Sequence, residues 1–218
     1  MTYKEFICDV LRTIPLGMPV YTSRIAEQLA AAFGIDNKSA AAATAVAIKR
    51  ILDEQQLPNL RFYQKGIYYL CGSTPFGETG INVERLIEDK YLLPDIGYET
   101  GAGVLHYLGL TTQMPKERIL ATNKAAGGVR RDERLGVLIR PPRVTVNKKN
   151  KLYLQLLDVL ENLDKTPVDA EEPYALIADY IKSQGLEYSG LLAIADRSYG
   201  KKTILQLAHT AGVGGLNI

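Results

Sequence analysis

Lys38 and Lys49, at the two ends of an alanine-rich run, are the side chains best placed to do chemistry, and that chemistry is the neutralisation of phosphate. At 100° per residue, Ala40, Ala43, Thr44, Ala47, Ile48 and Ile51 share one apolar side of a helix, while Lys38, Ala42, Ala45 and Lys49 line the other. Ser39 sits beside the first lysine. Small side chains let a helix backbone approach base edges and touch thymine methyl groups, and lysines at both ends can meet phosphates on either wall of a groove. Asp53, near the far end of the face, would be repelled, so contact is expected to concentrate at the helix N-terminus, where the dipole favours an anion. Arg61 and Lys65, in the hairpin pattern that follows, would add backbone contacts. Alanine is also simply the best helix former, and an alanine-rich helix packs closely in any small bundle.

Other chemistries find little support. Cys8, Cys71, His106 and His209 are scattered over the whole chain without the close spacing of a zinc site, and both cysteines follow apolar segments, as buried free thiols do. The Ala126-Gly127-Gly128 turn is not followed by the Lys-Ser or Lys-Thr of a phosphate loop. Asp132-Glu133, in an Arg-rich turn, suits surface ion pairs better than acid–base work. The expectation is a protein that is not an enzyme and has no metal or other cofactor.

Net charge is only +2, but it is strongly segregated. Residues 116–151 hold eleven of the 26 basic residues against three acids, while the flanking stretches 76–115 and 152–218 are each acidic by four. Such a block makes a local field that an anionic partner would feel within about 10 Å. Lys116, Arg118, Lys124, Arg130, Arg131, Arg134, Arg140 and Arg143 are therefore candidates for a second basic surface. The alternative is a solvated basic hairpin balanced by the acidic segments on either side.

These residues need a scaffold. A chain of 218 residues, 46% hydrophobic and 23% charged, can bury a sizeable core. It carries neither an apolar run of membrane-spanning length nor the layout of a signal peptide, so a cytoplasmic protein with no membrane partner is expected. Helical spacing predicts helices over Thr2–Ile14, from Arg24 to Phe33 with Ser23 as N-cap, and from Lys38 or Ser39 to about Gln55. A short extended piece at Pro19–Thr22 precedes the second helix. Two strands, Leu60–Tyr63 and Ile67–Leu70, surround Gln64-Lys65-Gly66. This order is that of a winged helix-turn-helix, whose third helix enters the major groove. The turn-forming stretch Cys71–Gly80 marks a domain boundary, giving domains of 1–75 and 76–218.

Beyond it the pattern predicts a helix from Asn82 to Pro94, a short helix over Glu99–Leu108, and a small antiparallel sheet from Arg118–Thr122, Val129–Arg131 and Gly136–Ile139. Helices then follow at Leu152–Leu163, Pro173–Gln184, Ser189–Asp196 and Lys201–Ala211. The fold class is α+β and mostly helical, a winged helix-turn-helix followed by an α-rich domain with a small sheet.

The stretch from Glu99 to Pro115, ETGAGVLHYLGLTTQMP, with Ala121-Thr122-Asn123 after it, resembles the TGxxxLxxLGLTTQxP segment of the AbiEi-like antitoxins of type IV toxin–antitoxin systems. Gly66-Ile67-Tyr68-Tyr69 is similar to the Gly-x-Tyr-Tyr that closes the hairpin of their winged helix. The resemblance implies a bacterial repressor that binds double-stranded DNA at its own promoter. It further implies a C-terminal domain that counters a nucleotidyltransferase toxin without forming a stable complex with it. A protein-interaction antitoxin with a vestigial DNA-binding domain is the alternative.

Overall fold

The computed structural model describes residues 1–215, and the chain divides into two units, Met1–Leu86 and Ile87–Ile218. It is α+β, with just under half of the chain in helices. Among the described residues, no helix is long and apolar enough to cross a membrane.

In the first unit, helix α1 (Tyr3–Thr13) opens with a capping box: the Glu5 N–H donates to Thr2 Oγ1, and the Thr2 N–H donates to the Glu5 carboxylate. A two-residue strand β1 (Val20–Tyr21) leads directly into α2 (Thr22–Phe33). The expected Ser23 cap is not used. The helix begins two residues earlier than expected, at Thr22, whose N–H donates to the Gly66 carbonyl at 3.0 Å, so a backbone group of the hairpin takes the place of a side-chain cap. Helix α3 (Asn37–Asp53) follows. Strands β2 (Leu60–Gln64) and β3 (Ile67–Leu70) form an antiparallel hairpin, and β1 adds to its other side in the order β1-β3-β2. Gly66 turns this hairpin at φ 80°, a left-handed conformation that a side chain would strain. Ile7, Leu11, Leu29, Ile48, Ile51 and Leu60 lie in the core that the three helices close over the sheet.

This unit extends past the 1–75 boundary that the turn formers suggested. Strands β4 (Ser73–Thr74) and β5 (Gly77–Glu78) make a small hairpin of their own. Backbone groups hold its ends: the Cys71 N–H donates to the Asn59 carbonyl, and the Asn82 N–H donates to the Gly17 carbonyl at 2.7 Å. A stretch rich in Gly, Ser, Thr and Pro is thus an ordered part of the unit, and both cysteines are buried free thiols.

The helix expected from Asn82 is short, α4 (Val83–Ile87), and passes into a π-helical turn over Glu88–Leu92. In the second unit, β6 (Gly97–Thr100) replaces the start of the helix predicted over Glu99–Leu108, leaving only α5 (Ala102–Tyr107). Strand pairing outweighs the weak helical pattern there, since two glycines destabilise a helix. Gly97 is required by contact as well: a Cβ on it would lie 2.3 Å from the Tyr91 carbonyl oxygen.

Strands β7 (Arg118–Thr122), β8 (Arg130–Asp132) and β9 (Val137–Arg140) complete a four-stranded sheet in the order β6-β7-β9-β8. It is small and mainly antiparallel, but β7 and β9 run parallel because β8 turns back along the outer edge of β9. Helices α6 (Lys151–Asn162), α7 (Pro173–Ser183), α8 (Tyr188–Ser198) and α9 (Lys201–Gly214) follow close to their predicted bounds. Leu154, Leu157, Leu160, Ile181, Leu191 and Leu207 are among their buried contacts.

Candidate nucleic-acid interface

Helix α3 presents the face that its sequence pattern describes. Ala40, Thr44, Ala47, Ile48 and Ile51 are buried, whereas Lys38, Ser39, Ala42, Ala45 and Lys49 are exposed. At 1.5 Å of rise per residue the two lysines stand roughly 16 Å apart along the axis, enough to straddle a major groove about 12 Å wide. Lys38, Lys49 and Lys65 have no ion-pair partner among the described residues, and Lys65 is exposed at the β2–β3 turn. Two further side chains belong to the same surface. Val46 is 51% exposed although it is branched and apolar, and Arg50 is exposed one turn beyond it. With Tyr3, Lys4, Ala42 and Ala43 they line an open cleft of about 520 Å³ beside the first turn of α1. Lys4 is committed to Glu54 at 2.8 Å.

Two expected contacts are already occupied. The helix N-terminus is not open to a phosphate, because Asp36 is its N-cap and accepts from both the Lys38 and Ser39 N–H groups at 3.0 Å. The Ser39 hydroxyl and these backbone donors hold the Asp36 carboxyl below the ordinary carboxylate range, so a negative charge stands where an anion was expected. Ser39 therefore belongs to the cap. Arg61 is likewise engaged: its Nε donates to Glu78 Oε2 at 2.9 Å, its Nη2 pairs with Glu78 Oε1, and its Nη1 donates to the Pro58 carbonyl at 2.6 Å. This bidentate bond lowers the Glu78 carboxyl and ties β2 to the β4–β5 hairpin.

The basic segment of the second unit is not one free cationic surface. Arg118 pairs with Glu99 at 3.0 Å, Arg131 lies 3.3 Å from Glu117 and 3.4 Å from Glu133, and Arg143 pairs with Glu161 while its guanidinium lies over the Tyr199 ring. Arg140 turns inward to Asp158. Lys116, Lys124, Arg130 and Arg134 are exposed. Glu99, Asp158 and Glu161, which the fold brings in from the flanking acidic segments, balance Arg118, Arg140 and Arg143.

Asp158 is the centre of a buried polar cluster. It is fully buried on α6 and accepts hydrogen bonds from Arg140 Nη2, from the Tyr199 hydroxyl at 2.9 Å and from Thr100 Oγ1 at 3.1 Å. Burial pushes its carboxyl above the usual range, opposed first by the Arg140 guanidinium and then by the Tyr199 hydroxyl. The Tyr98 hydroxyl is buried near the same carboxylate without a hydrogen bond of good geometry, and burial raises both tyrosines.

The segment from Glu99 to Pro115 is fixed by Asp169, which accepts from the Thr112 N–H at 2.8 Å and the Thr112 hydroxyl at 2.7 Å. Tyr107 and Met114 are left 81% and 75% exposed. His106 Nδ1 lies 3.1 Å from the Thr111 carbonyl, and the His209 ring packs on Tyr174 with centroids 4.4 Å apart. No group of His, Cys, Asp and Glu among the described residues is arranged to hold a metal ion.

Sequence reasoning did not single out Asp36, Val46, Arg50, Glu78 or Asp158. Asp36 ahead of Lys38 in Asp-Asn-Lys-Ser is a recognisable cap signal, and Asp158 in Leu-Gln-Leu-Leu-Asp-Val-Leu is the one acid in an apolar stretch. No family model and no curated protein sequence matches the chain.

Proposed function

We propose that this chain is a cytoplasmic, DNA-binding transcriptional repressor of its own promoter, with residues of the first unit acting as a winged helix-turn-helix. The observation that carries this reading is the exposed face of α3, on which Lys38 and Lys49 flank small side chains with no ion-pair partner among the described residues. The order α1-β1-α2-α3-β2-β3 supports it, since α3 would enter the major groove and the hairpin carrying Lys65 would lie against the backbone. The resemblance of the Glu99–Pro115 segment supports a place in a type IV toxin–antitoxin system, opposing a nucleotidyltransferase toxin without a stable complex. No catalytic role or cofactor is assigned to it.

The test is equilibrium binding of the full chain to duplex DNA from immediately upstream of its reading frame. Changing Lys38, Lys49 and Lys65 together to alanine removes up to three phosphate contacts, so the slope of log K against log salt becomes shallower by about 2.7. An unchanged affinity and slope would refute the proposed surface.

A second reading, an antitoxin acting by protein interaction with a vestigial DNA-binding unit, is favoured by the engagement of Arg61 with Glu78 and by the exposure of Tyr107 and Met114. Co-purification with the product of the adjacent gene, together with no retention on DNA at low salt, would select it.

A further inference from the structure

We infer that the exposed face of α3 selects duplexes through the methyl groups of thymine, and that Val46 carries most of that discrimination. The inference rests on the DNA-binding reading above and names the feature of the duplex that is read. Val46 is not part of the buried core. It is 51% exposed, outside the buried side of α3 formed by Ala40, Thr44, Ala47, Ile48 and Ile51, and a β-branched residue gives up side-chain freedom in a helix. An alanine or a lysine, as elsewhere on this face, would serve the helix better.

Val46 is also not isolated. Ala42 precedes it by one turn on the same exposed side, and both line the open cleft beside α1, where Tyr3 and Ala43 supply further apolar surface. Lys38, Lys49 and Arg50, on the same helix, have no ion-pair partner among the described residues, so the apolar patch is flanked by cations that match a polyanion. A protein partner of apolar character would gain nothing from that frame.

The major groove displays one apolar feature, the C5-methyl group of thymine, and apolar side chains are its complement. Hydrogen-bonding readers of adenine are missing from the exposed centre of α3: between Lys38 and Lys49 it carries Ala42, Ala45 and Val46 with no asparagine or glutamine. Arg50 lies toward the α1 side of the face, where it lines the cleft. Asp53 is exposed beyond it, which sets the C-terminal limit of close approach. The lysines hold the helix in the groove whatever the sequence, and the methyl contacts decide which sequence holds best.

The test compares two versions of the duplex from upstream of the reading frame, one normal and one with every thymine replaced by uracil, which removes only the methyl groups. Withdrawing one methyl group from water is worth about a fourfold change in affinity, so contacts to two methyls predict about fifteenfold weaker binding of the uracil duplex. The salt slopes of the two duplexes are expected to be equal, because no phosphate contact changes. Val46→Ala should lower affinity for the thymine duplex and narrow the ratio between the two. The Lys38, Lys49 and Lys65 triple variant should weaken both duplexes alike and preserve the ratio. Equal binding of the two duplexes by the parent protein, or an unchanged ratio in Val46→Ala, overturns the inference while leaving DNA binding intact. Failure of the thymine duplex to bind better than an unrelated sequence overturns the DNA-binding reading and this inference with it.

Discussion

Replacing Asp158 with asparagine would strand the Arg140 guanidinium in the interior of the second unit. The carboxylate is fully buried and accepts from Arg140, Tyr199 and Thr100, so one substitution disturbs three donors at once. Removing one member of a buried ion pair costs about 3–5 kcal/mol. The Arg140 side chain retains 23% exposure and can turn partly to water, which places the expected loss near the lower end of that range. Unfolding entropy of about 2.1 cal/mol/K per residue gives a unit of roughly 130 residues about 0.27 kcal/mol per degree. The transition of the second unit should therefore fall by about 11 °C, and by up to about 18 °C at the upper end of the range.

Calorimetry of the full chain measures this directly. The companion variant changes Arg140 to methionine and Asp158 to leucine together, removing both charges, and it should regain the part of the loss due to the stranded guanidinium, though not the part due to the Tyr199 and Thr100 hydroxyls that lose their acceptor. A shift under about 2 °C for Asp158→Asn, or a double variant no more stable than the single one, would refute the reasoning.

Changing Glu78 to alanine releases Arg61 from its bidentate partner. If Arg61 then reaches a phosphate, the salt slope of DNA binding steepens by about 0.9, which anisotropy titrations at several salt concentrations would register. Burial alone would raise the Asp132 carboxyl, but the Lys90 ammonium at 2.7 Å and the Tyr91 hydroxyl at 2.7 Å together hold it below its ordinary value. A carboxyl lowered on folding contributes stability that is full above its unfolded pKa of about 3.9 and is lost as pH falls through the folded value. The melting temperatures of the parent and of Asp132→Asn should thus differ at neutral pH and converge in acid. Gly97→Ala places a methyl group against the Tyr91 carbonyl, and overpacking of this kind costs about 1–3 kcal/mol, read as a lower denaturant midpoint with an unchanged slope.

Much of the fold was legible because burial follows period. The apolar side of α3 and the four C-terminal helices follow from leucine, isoleucine and alanine spacing alone, and Gln64-Lys65-Gly66 marked the hairpin turn. Legibility failed where tertiary partners override local preference. Glu99 and Thr100 became strand because β7 pairs with them, and the β7–β9 pairing is parallel because a strand edge was filled out of sequence order. The candidate site divides in the same way. Which residues of α3 face outward follows from the helical period, but whether a basic side chain is free depends on acids remote in sequence. Arg61 meets Glu78, and Arg140 meets Asp158, across separations that no local pattern encodes.

Gly17 has its amide hydrogen on the Leu70 carbonyl and its own carbonyl under the Asn82 amide, so the turn after α1 is sandwiched between two later segments. Amputating everything after residue 75 would take away Asn82 and Glu78 together. That would unpin the turn and expose the flank of β2 on which Arg61 is held. A fragment meant to retain the native first unit should therefore extend through Leu86, and protease digestion under native conditions should leave the Cys71–Asn82 stretch uncut despite its loop-like composition.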